Sequence, residues 1–178
     1  PVGLALATWL VVGAIVDLTS RARLGKIPLA QTLRRLRNLP RSDWGKAVAH
    51  AGLGLTIFGI SAVTAWEVED IRIVNIGDRF AVGGYEFQFN SVNRMPGKNY
   101  MADLGHVTAF KKDKIVAELY PEKRLYQVQR MPTTEAAIDT TLTRDLYVVL
   151  GDRQEDGSWA MRTYIKPFTV WMWIGVMV

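Results

Sequence analysis

The sequence predicts a membrane protein in which transmembrane α-helices flank a mainly-β domain with the form of a small sandwich or barrel. Two observations lead to this fold class. Three segments carry no formal charge, at residues 1–16, 47–66 and 167–178, and nearly all charges lie between them. The segment at 67–166 shows instead short apolar and aromatic alternations separated by turn signals, which are typical of antiparallel strands.

The middle chargeless segment is long enough to span a bilayer by itself. A helix of about 20 residues rises roughly 30 Å, which matches the thickness of the hydrocarbon core. We predict a transmembrane helix at 47–66 and truncated transmembrane helices at 1–18 and 167–178, so the chain is expected to be a fragment of a longer protein. The alternative, buried helices of a soluble core, is disfavoured because three such segments are hard to bury in a small chain.

The segment 19–46, between the first two predicted spans, is strongly basic and contains one carboxylate, Asp43. A short loop rich in Lys and Arg is retained in the cytoplasm. This places 19–46 in the cytoplasm and 67–166 in the periplasm. Leucines interspersed among the cations favour an interfacial amphipathic helix over an RNA-binding arm, so no nucleic-acid partner is expected. The cations are Arg21, Arg23, Lys26, Arg34, Arg35, Arg37, Arg41 and Lys46.

Within the periplasmic domain, the alternation of Tyr85, Phe87 and Phe89 with polar residues is the clearest strand signal. Residues 133–139 are expected to form a helical turn, with Thr133 or Thr134 as its cap. The sequence has no cysteine, which excludes Cys-based redox or metal chemistry. Strands are expected at 70–76, 80–82, 85–90, 107–110, 115–120, 126–129, 146–150 and 159–164, with turns at 77–78, 83–84, 111–114 and 151–158.

His50 is the sharpest candidate for chemistry, because it lies inside the predicted span at 47–66. An ionisable side chain at membrane depth is a functional hypothesis by default, and a neutral imidazole is a ready ligand for haem iron or another metal. Small neighbours, from Ala47 to Gly54, would let a helix or a flat macrocycle approach closely. The alternative is a histidine that donates a hydrogen bond to a neighbouring helix.

A second candidate site lies in the charged and aromatic segments 119–126 and 131–138. They are candidates for a docking face for a partner protein, because Arg and Tyr often anchor interfaces. The alternative is an internal network of ion pairs and helix caps, with Glu135 near the positive end of a helix. His106 is expected to be a surface or capping histidine. No cluster of His, Asp or Glu has metal-ligand spacing in the sequence. The candidate docking residues are Glu122, Lys123, Arg124, Tyr126, Thr134 and Glu135.

Several motifs, in this order, resemble the CcmF/NrfE family of cytochrome c maturation haem lyase subunits. The segment 44–52, Trp-Gly-Lys-Ala-Val-Ala-His-Ala-Gly, resembles the histidine-bearing span of that family. The segments 120–126, Tyr-Pro-Glu-Lys-Arg-Leu-Tyr, and 132–138, Pro-Thr-Thr-Glu-Ala-Ala-Ile, resemble its late periplasmic part. Residues 145–148 and 166–175 fit the same pattern, so the resemblance covers nearly all of the chain.

The resemblance implies a multi-pass protein of the bacterial inner membrane that attaches haem covalently to apocytochrome c. It implies partners of three kinds: a haem chaperone of the CcmE type, subunits of the CcmH/CcmI type, and the apocytochrome. It also implies a membrane haem b, with His50 as one axial ligand and the other ligand in an earlier helix. The family's Trp-rich WWD segment, which handles the substrate haem, is not in this sequence, so no catalytic residue is assigned.

A haem transporter or a non-catalytic membrane assembly scaffold is the alternative function. Ion-coupled transporters place charged groups near the middle of the membrane. No Asp, Glu, Lys or Arg is expected inside a span, which weighs against an ion-coupled transporter.

Overall fold

The computed structural model describes residues 2–126, 128 and 131–178, and these divide into two compact units. A helical unit comprises the chain up to Ala65 and from Phe168 onward, and a β unit comprises Trp66–Pro167. The predicted mainly-β domain is confirmed as a sandwich, and it is accompanied by two long apolar helices.

Four helices are described: α1 (Val2–Arg21), α2 (Leu29–Arg37), α3 (Arg41–Trp66) and α4 (Thr169–Met177). By length and composition, α1 and α3 could each cross a membrane. Both continue into the basic segment beyond the predicted spans. Asp17 lies within α1, one turn from its end, contrary to the expectation that no Asp lies inside a predicted span. Its carboxylate accepts a hydrogen bond from Arg21 Nε at 2.9 Å.

The β unit consists of a four-stranded and a six-stranded antiparallel sheet. The first sheet has the order β1-β10-β9-β8, and the second has the order β2-β3-β4-β6-β7 with β5 paired to β4. The strands are β1 (Val68–Val74), β2 (Arg79–Val82), β3 (Tyr85–Pro96), β4 (Tyr100–Lys111), β5 (Lys114–Leu119), β6 (Glu122–Tyr126), β7 (Pro132–Glu135), β8 (Ala137–Thr140), β9 (Arg144–Arg153) and β10 (Trp159–Pro167).

The core of the sandwich comes from alternate residues of both sheets. Phe87 and Phe89 of β3 are fully buried, as are Leu146 and Val148 of β9. The hairpin between β2 and β3 turns through Gly83-Gly84, both with positive φ, which is the backbone that a two-residue hairpin turn requires. The aromatic alternation at 85–90 thus correctly predicted which face of β3 is buried.

The predicted helical turn at 133–139 is wrong, because these residues form β7 and β8. Thr134 pairs with Lys123 in the six-stranded sheet, and Ala137 pairs with Val148 in the four-stranded sheet. The segment therefore carries the chain from one sheet to the other, and neither Thr133 nor Thr134 caps a helix. In the strand predicted at 126–129, residues 127 and 129 lie outside the described residues, Tyr126 ends β6, and Val128 lies in a turn.

Candidate functional site

His50 lies on α3, with its imidazole oriented by the backbone of its own helix. Its Nδ1 lies 2.7 Å from the carbonyl oxygen of Lys46. A carbonyl oxygen can only accept, so Nδ1 carries the proton and donates this bond. In the neutral ring, Nε2 then holds an unprotonated lone pair. A hydrogen bond of this kind fixes the tautomer and orientation of histidines that ligate metals.

A pocket of about 230 Å³ lies beside His50, between α1 and α3. This is smaller than the roughly 300–1,000 Å³ that a small-molecule or cofactor site normally encloses. The His50 side chain is exposed, which leaves its free nitrogen open to a group that approaches from outside the helix pair. The pocket is lined by Trp9, Leu10, Gly13, Ala14, Asp17, Lys46, Ala47 and His50.

Ion pairs join α1 and α3 at the end of this pocket. Asp17 accepts from Arg21 at 2.9 Å and lies 3.6 Å from Lys46 Nζ, while Arg21 also donates to Asp43 at 3.1 Å. Lys46 therefore has two roles near His50: its carbonyl orients the imidazole, and its ammonium contacts Asp17. Asp17 is not among the candidate residues that the sequence suggests. The only available signal was its distance of one helical turn from both Gly13 and Arg21.

The other side of α3 packs closely on α4 through glycines. A Cβ placed on Gly52 would lie 2.6 Å from the carbonyl oxygen of Gly175, and one on Gly59 would lie 2.6 Å from the amide nitrogen of Met172. Thr56 Oγ1 donates to its own helix at Gly52, 3.1 Å away. The small residues predicted around His50 therefore allow a close helix–helix approach.

The second candidate site, on β6 and β7, contains an arginine with three partners. The Arg124 guanidinium donates to Glu122 at 2.7 Å, contacts Glu135 at 3.2 Å, and lies 4.8 Å from the centre of the Tyr100 ring. The hydrogen bond to Glu122 raises the pKa of Arg124 above its ordinary value. The Tyr100 ring in turn lies 5.5 Å from that of Tyr126. These residues form one cluster of charges and aromatic rings.

Two of the predicted docking residues lie apart from this cluster. Lys123 and Thr134 are register partners on β6 and β7, and strand alternation points them to the opposite face of the sheet from Arg124. Lys123 pairs with Asp152 of β9. The structure therefore brings Glu122, Arg124, Tyr126 and Glu135 together and separates Lys123 and Thr134 from them. Glu135 lies on a strand, so the predicted contact with a helix end is wrong.

His106 has specific partners on the cluster's side of the six-stranded sheet. Its Nε2 lies 2.6 Å from Glu118 Oε2, and its ring stacks on Tyr120 with centroids 4.9 Å apart and planes 8° apart. Glu118 also accepts from Thr108 at 2.9 Å, and Thr108 accepts from Asn90 at 2.7 Å. The period-2 pattern on either side of the turn at 111–114 could have predicted this network. No group of three or more His, Cys, Asp or Glu residues in the described ranges could hold a metal ion.

Comparisons with known proteins match the chain to one family. The profile described as the CcmF C-terminal beta-sandwich matches residues 65–167. Cytochrome c-type biogenesis protein ccl1 of Rhodobacter capsulatus is 46% identical over 97% of this chain and 25% of its own length. Cytochrome c-type biogenesis protein CcmF of Pseudomonas aeruginosa is 38% identical over 96% of this chain and 25% of its own length.

A more distant relative and a solved structure agree with this match. Cytochrome c-type biogenesis protein NrfE of Haemophilus influenzae is 31% identical over 91% of this chain and 25% of its own length. A solved structure titled Cytochrome c Heme Lyase CcmF superposes with a TM-score of 0.67 over 94% of this chain and 32% of its own. At 14% identity that likeness concerns the fold alone. The chain thus spans about a quarter of the length of the curated relatives it matches.

Proposed function

Because this chain belongs to the CcmF/NrfE family of cytochrome c-type biogenesis proteins, we propose that it serves in the covalent attachment of haem to apocytochrome c. The relatives are about four times as long as this chain, so the activity is proposed for a longer protein. Within that protein, we assign two roles to this chain. It supplies one axial ligand of a membrane haem b, and it presents a docking surface on the β-sandwich.

The hydrogen bond from His50 Nδ1 to the Lys46 carbonyl is the observation that carries the first role. It presents Nε2 as the ligating atom and resists rotation of the ring. A neutral imidazole can bind iron without placing a charge among apolar helices. When bound, haem b supplies a one-electron redox centre. The second axial ligand would come from a helix outside this chain.

The membrane location is supported by the helices themselves. α1 and α3 have 20 and 26 residues, and only 17% and 28% of their most apolar stretches are buried. A core helix of a soluble protein would be buried much more completely. With α1 and α3 crossing the inner membrane, the basic segment between them lies in the cytoplasm. The β-sandwich follows α3 and emerges on the opposite side, in the periplasm.

The cluster formed by Arg124, Glu122, Glu135, Tyr100 and Tyr126 is the proposed docking surface. Its aromatic rings and its arginine are residue types that dominate binding energy at protein interfaces. The proposed partners are a haem chaperone of the CcmE type, subunits of the CcmH/CcmI type, and the apocytochrome. Lys123 and Thr134 lie on the other face of the same strands, where a partner at the cluster would not reach them.

A visible spectrum tests the haem role. The full-length protein that contains this segment is purified in detergent as wild type, His50→Ala and His106→Ala. We expect a low-spin b-type band, in the reduced-minus-oxidised spectrum, that His50→Ala abolishes or weakens and His106→Ala leaves unchanged. Equal spectra for all three proteins would refute ligation by His50. A wild type without any haem would favour the scaffold or transporter function instead.

Charge reversal tests the docking role. Arg124→Glu is compared with Arg162→Glu, whose side chain lies 3.6 Å from Glu69 in the other sheet. Pull-down of the chaperone and the yield of mature cytochrome c should fall for Arg124→Glu only, at equal protein levels. If the two variants retain the same partners and the same yield, the cluster is a structural ion-pair network.

A further inference from the structure

The short helix α2 has an apolar side that no described residue covers. Thr32 is 1% exposed and faces the rest of the helical unit. One residue further on, Leu33 is 58% exposed, and Leu29, one turn before it, is 66% exposed. Residues at this spacing share one side of a helix. The two leucines therefore form a small exposed apolar patch on a helix of nine residues.

The other sides of α2 are cationic. Arg34, Arg35 and Arg37 occupy its last turn and are exposed. In the described ranges, the ion pairs near this helix involve Arg21 and Lys46 with Asp17 and Asp43, and none involves these three arginines. By helical spacing, Arg37 lies beside the leucine side, while Arg34 and Arg35 lie on the two far sides of the helix. Arginines beside an exposed apolar stripe characterise helices that lie in a membrane interface.

The two long helices α1 and α3 constrain the position of α2. The helix lies between the end of α1 at Arg21 and the start of α3 at Arg41. The indole of Trp44 donates a hydrogen bond to the carbonyl of Leu36 at 3.2 Å, which ties the end of α2 to the first turns of α3. Trp44 is 40% exposed, and tryptophan is enriched at the level of the lipid headgroups.

We infer that α2 lies flat in the membrane interface, with Leu29 and Leu33 among the acyl chains and Arg34, Arg35 and Arg37 on the phosphates of anionic phospholipids. The inference rests on the proposed membrane location of α1 and α3. A guanidinium matches phosphate oxygens in a bidentate geometry. Near an anionic surface each cation contributes about fivefold in binding, and the effect fades within a Debye length. The three arginines together correspond to roughly a hundredfold preference.

A probe at Leu33 tests this inference on the whole chain. The sequence has no cysteine, so Leu33→Cys gives a single labelling site for an environment-sensitive fluorophore. The chain is reconstituted in nanodiscs of phosphatidylcholine, with or without phosphatidylglycerol. We expect the fluorophore to be shielded from an aqueous quencher when the anionic lipid is present and to become more accessible without it or at high salt. Replacing Arg34, Arg35 and Arg37 by Gln should abolish the dependence on anionic lipid.

Matched controls separate the possible failures. The control is a triple variant in which glutamine replaces three arginines of the β unit, Arg94, Arg153 and Arg162. This variant should leave the response of the probe unchanged. A probe that stays in water with either lipid overturns the inference, and so does one that is equally shielded in both. A second probe at Val12, in the middle of α1, reports the spans themselves. If the Val12 probe is also in water, the proposed membrane location of α1 and α3 is refuted, and so is the inferred position of α2 in the membrane interface. If only the Leu33 probe is in water, the membrane location stands and the role of α2 alone is refuted.

Discussion

Replacing Gly52 by alanine should loosen the contact between α3 and α4. The added Cβ would lie 2.6 Å from the carbonyl oxygen of Gly175, which is backbone and cannot rotate away. A carbon and an oxygen in comfortable contact are about 3.3 Å apart or more. The two helices must therefore separate by roughly 0.7 Å at this crossing. Gly45→Ala is the matched control, because Gly45 lies on the same helix with nothing within 4 Å of its Cβ position.

The two variants should change stability in opposite directions. An overpacked contact costs about 1–3 kcal/mol, against which alanine gains up to about 1 kcal/mol in helix propensity over glycine. Gly52→Ala should therefore lose roughly 1–2 kcal/mol of unfolding free energy. Gly45→Ala has no clash and should gain up to about 1 kcal/mol. The propensity gain is common to both variants, so the expected difference between them is the overpacking cost, about 1–3 kcal/mol.

Unfolding in mixed micelles measures this difference. The whole chain is titrated with a denaturing detergent, and helix content is followed by circular dichroism. The reasoning is refuted if Gly52→Ala is as stable as Gly45→Ala, because α3 and α4 would then not approach each other as closely as the distances indicate. A further readout is haem content in the full-length protein, since Gly52 lies two residues from His50.

Three predictions concern the β-sandwich of the whole chain. Phe87→Ala empties a fully buried site and should cost about 3–5 kcal/mol in urea unfolding, whereas alanine at an exposed position of the same strand should change stability by no more than about 0.5 kcal/mol. Hydrogen bonds from Arg72 lower the pKa of Asp70 below its ordinary value of 3.8. The ionised carboxylate therefore adds to the free energy of unfolding above pH 3.8, and this stabilisation is lost as the pH falls through the lower pKa of the folded state. Asp70→Asn should flatten the acid side of the profile of stability against pH. Gly83→Asn should be more damaging than Gly84→Asn, because both residues have positive φ but only Gly83 would place a Cβ 2.6 Å from a side chain of β10; equal thermal midpoints would contradict this.

The accuracy of the sequence-based fold prediction depended on how local the signal was. Tyr85, Phe87 and Phe89 alternate with polar residues beside Gly83-Gly84, so turn and strand were both visible in one short segment. Residues 132–140 carry weaker and conflicting signals. Thr133 followed by Glu135 and two alanines reads as a capped helical turn, but the pairing partners of these residues, on β6 and β9, are distant in sequence or belong to the other sheet.

The docking candidates show a similar limit. Glu122, Lys123 and Arg124 are consecutive, and a charged run of this kind suggests a single surface. On a strand, consecutive side chains point to opposite faces. Once β6 is known to be a strand, Lys123 must separate from its two neighbours. What could not be inferred is the identity of the partners, because Tyr100 and Asp152 reach these side chains only through the sheet pairing of β4 and the packing of β9.

The helix that carries His50, α3, makes close contacts on two of its sides. Gly52 and Gly59 lie on the side that packs against α4, while a Cβ on Gly54 would meet Val11 and Ala7 of α1. By helical spacing, His50 lies on the side of Gly54, at the flank of the α1 contact and away from α4. The Asp17 carboxylate pairs with the ammonium group of Lys46 on that side of α3. The backbone carbonyl of the same lysine accepts the hydrogen bond that orients the imidazole. Asp17→Asn should therefore disturb the spectrum of a haem ligated by His50, although Asp17 is not proposed to touch the iron.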